Sequence, residues 1–143
     1  MAYSDRELLA RLIQCEAGGE GDNGMRAVAS VVMNRVRASE GEYSRVSRGG
    51  SLRNIIYQPR QFECALDDNR GQNIYNMRPE QQHYDIADWA IAGNRIGDVA
   101  DSLWFYNPFG AECRNFFPGR SGYWQTRIGD HCFYNPTNAY HET

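Results

Sequence analysis

The sequence predicts an α+β fold, a helical core followed by a small antiparallel sheet in the C-terminal half, and three observations carry that expectation. Apolar residues recur at intervals of three and four from Leu8 to Val36. The segment from Pro79 to Gly93 is punctuated as a helix, with its proline at the start and its glycine at the stop. After Gly97 the texture changes to two aromatic segments, "SLWFYNP" and "IGDHCFYNP", each closed by an Asn-Pro turn. At 143 residues the chain has the size of one domain and can bury roughly two-thirds of its unfolded surface, so residues 1–143 are expected to form a single unit.

In chain order, Ser4 with Glu7 three positions on is a capping box, so a first helix should start at Asp5. Leu8, Leu9, Leu12 and Ile13 form one stripe on it, and Gly18 and Gly19 should end it. Asp22 or Asn23 can cap a second helix over about Gly24 to Arg37, with Met25, Val28, Val32 and Val36 inward as the central core helix. Residues 38–50 are polar and Gly/Ser-bearing, as in a surface loop, and "SLRNIIY" reads as a short helix. Pro59 favours an extended entry into "RQFECAL", and "DDNRG" reads as a turn. The helix after Pro79 should pack Tyr84, Ala87, Ala90 and Ile91 inward. The two aromatic segments should pair as strands, with the Gly- and Arg-rich stretch between them forming a long loop.

Composition narrows the chemistry. A net charge of −3 and a pI near 5.6 lack the basic surplus that phosphate neutralisation requires, so nucleic acid is not an expected partner. All 15 basic residues are Arg, which removes every side-chain amine and with it Schiff-base and lysine-base chemistry. Nine Tyr, six Phe and three Trp can fill a core or line a sugar-binding groove, where ring faces cover the apolar face of a pyranose. No apolar run approaches the roughly 18 residues of a membrane span, and "MAYSDRELL" lacks the features of a secretory signal. No zinc-binding spacing, nucleophile elbow, phosphate loop or dinucleotide fingerprint occurs, so neither metal nor cofactor is expected. Cys15, Cys64, Cys113 and Cys132 are compatible with buried thiols, with two disulfides, or with a Cys/His site including His131.

Glu16 is the residue that the pattern does not explain as packing. It lies four positions after Leu12 and three after Ile13, so it continues the buried stripe of the first helix. A carboxyl in that position is costly to ionise, its pKa should rise, and a protonated carboxyl near neutrality is what a general acid for glycosidic cleavage requires. Rotation to the rim beside an Arg is the structural alternative. Glu20 and Glu63 make a second carboxylate available for either standard glycosidase geometry. Glu20, past the glycine break, is expected to face solvent.

The ordered series "CEAGGEGDNGMRAVASVVMNRV", "IIYQPRQFECALDD", "SLWFYNP" and "IGDHCFYNP" resembles the spore cortex-lytic cell-wall hydrolases of the SleB/CwlJ type over about Leu8 to Pro136, and the CwlJ-like branch is the nearer likeness. The resemblance implies a lysozyme-like groove and cleavage of peptidoglycan glycan strands, in spores those bearing muramic δ-lactam. It also implies a role in cortex lysis during germination, at the coat/cortex boundary, with a GerQ-like coat protein as a partner. It places the catalytic acid/base at the first Glu of "EAGGE", Glu16, acting as in a lytic transglycosylase. It further offers Glu20, Tyr57, Gln58, Phe62, Tyr106, Asn107 and His131 as substrate-binding positions, while Asn34 and Arg35 are expected to fasten the core helix. Cys15 and Cys64 depart from the family pattern, where small residues are usual. "QFE" returns to the groove wall by resemblance, which brings Cys64 toward Cys15, and Cys113 and Cys132 bracket the long loop between the two strands expected to pair, so Cys15–Cys64 and Cys113–Cys132 are the expected pairs if the protein is oxidised. Two other functions stay open at this point: a water-dependent glycosidase with two carboxylates, and a catalytically inert peptidoglycan-binding or coat scaffold protein.

Overall fold

Five helices come first and a three-stranded antiparallel sheet second in the computed structural model, which describes residues 2–66, 71–116 and 119–143. Helix α1 (Asp5–Ala17) begins where Ser4 accepts the Glu7 N–H at 3.1 Å, and Gly18 terminates it. The reciprocal arm of the expected capping box is absent, because the Glu7 carboxylate instead accepts from Arg11 at 2.8 Å. Helix α2 (Gly21–Val36) starts three residues before the expected position and uses neither Asp22 nor Asn23 as a cap. The connection is shorter than "GEGDNG" suggests because Gly21 takes φ +78°, a left-handed turn that glycine makes without Cβ strain and that lets α2 begin at once.

Helix α2 touches every other helix and the sheet. Met25, Val28, Val32 and Val36 point inward as expected, with Ala27, Ala29 and Val31 also fully buried. Asn34 and Arg35 fasten it to the chain before the sheet: Asn34 donates to the carbonyls of Ala100 and Ser102 at 3.1 and 3.0 Å, and Arg35 Nε to that of Leu103 at 2.7 Å. The Arg35 guanidinium is buried between the rings of Tyr43 and Phe62, where its delocalised charge is partly compensated by the ring faces.

The expected surface loop over 38–50 contains a helix, α3 (Gly41–Ser47). Seven residues are too few to show a helical period, and what holds the segment is Tyr43. Its ring stacks on Tyr140, its hydroxyl donates to Gln61 at 2.9 Å, and its N–H donates to the Tyr140 hydroxyl at 3.0 Å. Helix α4 (Leu52–Ile56) matches "SLRNIIY". The chain after Pro59 turns rather than extends, with Gln61 N–H bonded to Gln58 O and Arg60 at φ +66°. Phe62 is extended, before a single 3₁₀ turn over Glu63–Ala65. The expected "DDNRG" turn falls mostly on residues 67–70, outside the described residues.

Helix α5 (Gln81–Ile91) buries His83, Ile86, Ala87 and Ala90, whereas Tyr84 is half-buried and Ile91 is exposed, against expectation. The inward stripe is set one position earlier because α5 packs on both α1 and α2, which selects the face carrying the two small alanines beside Ile86.

The two aromatic segments pair as expected: β1 (Trp104–Tyr106) lies antiparallel to β3 (His131–Pro136), Phe105 opposite Phe133. Between them in sequence, however, lies a third strand rather than loop throughout. β2 (Gly122–Ile128) pairs along the other side of β3, so the sheet order is β1-β3-β2. A bulge between Trp124 and Thr126 breaks its alternation, and most of its residues keep solvent exposure. Both features erase the apolar period by which a strand is read from sequence. Both disulfides pair as expected, Cys15–Cys64 and Cys113–Cys132, and no described cysteine is free. Among the described residues no helix is long and apolar enough to cross a membrane.

Candidate active site

Helix α1 presents its last turn, Gln14 to Ala17, to a polar cleft of about 520 Å³. Gly18, Gly19 and Glu20 continue that wall, Glu80, Gln82 and His83 at the start of α5 face it, and Gln72, Asn107 and His131 complete the lining. The size falls within the roughly 300–1,000 Å³ of small-molecule sites, and the lining is rich in amide, carboxyl and imidazole groups.

Glu16 stands in that wall with its carboxyl largely buried, and its pKa is pushed up from the ordinary 4.5 to about 7. Burial is the main cause. A hydrogen bond from the Cys64 backbone pulls the other way, the charge of Glu63 adds to the rise, and the Arg35 guanidinium opposes it. Half the molecules therefore carry the proton near neutral pH. The helix stripe does bury this carboxyl, and rotation to a rim beside an Arg does not occur.

Glu20 differs from Glu16 in kind. Its side chain keeps only 13 % exposure, and Oε1 accepts the Asp130 N–H at 2.8 Å and lies 3.4 Å from His131 Nδ1. Gly129, at φ +58°, makes room for it, since a Cβ there would lie 2.6 Å from Oε1. Glu20 thus ties the α1–α2 junction to the β2–β3 turn, and the expectation that it faces solvent is corrected. The His131 ring packs edge-on against Phe105, and burial pushes its pKa below the ordinary 6.5, against the pull of Glu20 and Asp130.

Of the sequence-selected positions, Glu16, Glu20, Asn107 and His131 are brought to one cleft. The Asn107 carboxamide accepts the Phe109 N–H at 2.7 Å while lining it. Four others lie elsewhere. Tyr57 and Gln58 line a separate groove with Arg45, Arg48 and Asn54, and Gln58 donates to Glu42. Phe62 is in the core against Phe105. Tyr106 holds the loop after β1 through its hydroxyl, which accepts from the backbone and side chain of Arg114 at 3.2 and 3.3 Å.

Sequence reasoning missed Gln14, Gln72, Glu80 and His83. Glu80 and His83 form a reciprocal capping box at the start of α5, and only the packing of α5 on α1 turns that cap toward Glu16. Among the described residues no group of three or more His, Cys, Asp or Glu could hold a metal ion.

A carboxyl that titrates near neutrality in the wall of a polar cleft can serve as a general acid. The cell wall hydrolase family model matches residues 19–134, and the chain belongs to that family. It is 36 % identical over 135 residues to the cell wall hydrolase CwlJ of Oceanobacillus iheyensis, covering 93 % of this chain and 87 % of that protein. To the cell wall hydrolase CwlJ of Bacillus subtilis it is 32 % identical over 134 residues, with 94 % and 87 % covered. Among solved structures it resembles the catalytic domain of the germination-specific lytic transglycosylase SleB from Bacillus anthracis, at TM-score 0.65 and 26 % identity, covering 94 % of this chain and 98 % of that one. The catalytic domain of Bacillus cereus SleB gives TM-score 0.63 at 26 % identity, covering 94 % and 93 %.

Proposed function

We propose that this protein cleaves the glycan strands of peptidoglycan as a lytic transglycosylase, with Glu16 as its single acid and base. The observation that carries the reading is the buried, proton-bearing Glu16 in the cleft wall of a chain that belongs to the cell wall hydrolases. The protonated carboxyl gives its proton to the glycosidic oxygen as the bond to C1 of the muramic residue breaks. The resulting carboxylate then takes the proton of the 6-hydroxyl, whose oxygen closes on C1 to give a 1,6-anhydro end. Glu16 finishes protonated and no water is consumed.

Glu20 supports this one-carboxyl scheme because its Oε1 already accepts the Asp130 N–H, which suits a wall-forming group better than a base that activates water. Asn107 and His131 are substrate-facing positions in the same cleft, whereas Tyr57 and Gln58 line a separate groove, Phe62 lies in the core and Tyr106 holds Arg114. The substrate in this reading is the spore cortex, attacked at the coat/cortex boundary during germination, with a GerQ-like coat protein as a partner. Likeness to a germination-specific lytic transglycosylase supports that setting.

Mass spectrometry of muropeptides released from purified cortex tests the proposal, with anhydromuramic ends as the expected product. Reducing muramic ends would establish hydrolysis by water instead. Absence of any released fragment, from cortex and from vegetative sacculi alike, would leave an inert binding protein.

A further inference from the structure

The surroundings of Glu16 depend on a covalent bond that the proposed reaction does not use. Cys15, the residue before Glu16, is joined to Cys64, which ties the last turn of α1 to the 3₁₀ turn Glu63–Ala65 from 49 positions away. From that turn come two of the groups that act on Glu16, the backbone of Cys64 and the charge of Glu63. Next to the bridge, Phe62 is sunk in the core and Cys64 O accepts the Ile74 N–H at 3.0 Å. Cys15 is half-buried and lines the cleft.

We propose that the Cys15–Cys64 disulfide is a positioning element for Glu16, holding the Glu63–Ala65 turn against the end of α1, and that its opening by a dithiol lowers glycan cleavage while the fold persists. The inference rests on the reading of Glu16 as the acid. In the exchange, one thiolate of the dithiol attacks a sulfur of the pair, and the S–S bond breaks to a mixed disulfide and a free cysteine thiolate. The second thiolate then displaces the remaining cysteine, and the dithiol leaves as its cyclic disulfide. Two electrons and two protons pass from the dithiol to Cys15 and Cys64, which end as thiols.

The direction of the effect follows from the order of the forces on Glu16. Burial is the largest and raises its pKa, and the Cys64 hydrogen bond, which lowers it, comes second. A released turn admits water and removes both, so the loss of burial dominates and the carboxyl moves toward its ordinary range. The other charged or titratable groups around it are Arg35 from α2, Glu20 and His131 in the cleft lining, and Glu80 and His83 at the start of α5. None of them sits on the tied turn, whereas Glu63 leaves with it and its departure acts in the same direction as the entry of water.

The test is the pH dependence of kcat on soluble glycan fragments, measured for the oxidised protein, the protein opened with dithiothreitol, and the Cys15→Ser/Cys64→Ser double variant. The alkaline limb should move to lower pH by about one pH unit in the second and third, with kcat at pH 7 reduced about five-fold and KM little changed. The Cys113→Ser/Cys132→Ser variant should keep the limb of the oxidised protein. Peptide mapping follows which bond is open, and circular dichroism at the assay temperature reports the fold. If the serine variant does not fold, the dithiothreitol titration of the natural chain decides. A limb that stays in place, a shift to higher pH, or loss of the fold on opening Cys15–Cys64 overturns the proposal. If the limb stays while Glu16→Gln is inactive, only the positioning role fails; if Glu16→Gln is active, the reading of Glu16 fails as well.

Discussion

Replacing Glu16 by glutamine should separate catalysis from stability in opposite directions. The amide has the shape of the acid but cannot deliver a proton, so cleavage should fall by on the order of 100-fold or more. Stability should rise, and only above about pH 4.5. The folded carboxyl titrates at about 7 against an ordinary 4.5, so between those values the folded state holds a proton that the unfolded chain has lost. Folding then becomes less favourable as pH increases through the window. The cost is absent below pH 4.5, grows between 4.5 and 7, and is fully present above 7. Its ceiling is about 3 kcal/mol for a largely buried group. The Glu16→Gln variant carries no such cost, so its thermal melts and those of the natural chain should coincide near pH 4. They should diverge by several degrees at pH 8, the variant higher, since about 1 kcal/mol moves the midpoint of a domain this size by roughly 3 °C. Turbidity loss and muropeptide release supply the activity arm. A gain in stability equal at all pH values would mean that Glu16 does not hold its proton, and near-natural turnover would refute its role in the reaction.

Three further outcomes follow from the same contacts. The natural chain should lose activity above pH 7 as Glu16 ionises, and a pH–kcat profile flat to about pH 9 would contradict this. Glu20→Gln keeps a carbonyl oxygen for the Asp130 N–H, so it should reduce cleavage less than Glu16→Gln and change stability by less than about 1 kcal/mol, read by urea unfolding; equal loss at both positions would favour a two-carboxylate hydrolase. Gly129→Ala combines a left-handed backbone with a Cβ pressed on Glu20 Oε1, and it should destabilise by about 1–3 kcal/mol in the same assay while releasing Glu20 from the β2–β3 turn.

Ser4, Gly18 and the Leu8–Ile13 stripe determined the first helix, because capping and periodicity are local properties that survive without knowledge of the partner. The same stripe, extended one turn, identified Glu16 and the direction of its pKa. The aromatic Asn-Pro segments announced β1 and β3 for the same reason. Tertiary structure alone decided the rest. Helix α3 exists because Tyr43 reaches Tyr140 and Gln61, and β2 exists because β3 offers its second edge to a bulged, half-exposed segment with no period of its own. The sequence-based placement of Glu20 past the glycine break, toward solvent, was reversed by Gly129, a glycine more than 100 residues away that opens the space in which Glu20 is held. Local spacing specifies which face a side chain takes on its own element. What stands opposite that face depends on how distant elements pack, and there the cleft acquired Glu80 and His83, and Glu16 acquired Arg35, Glu63 and the Cys64 backbone as the neighbours that set its proton.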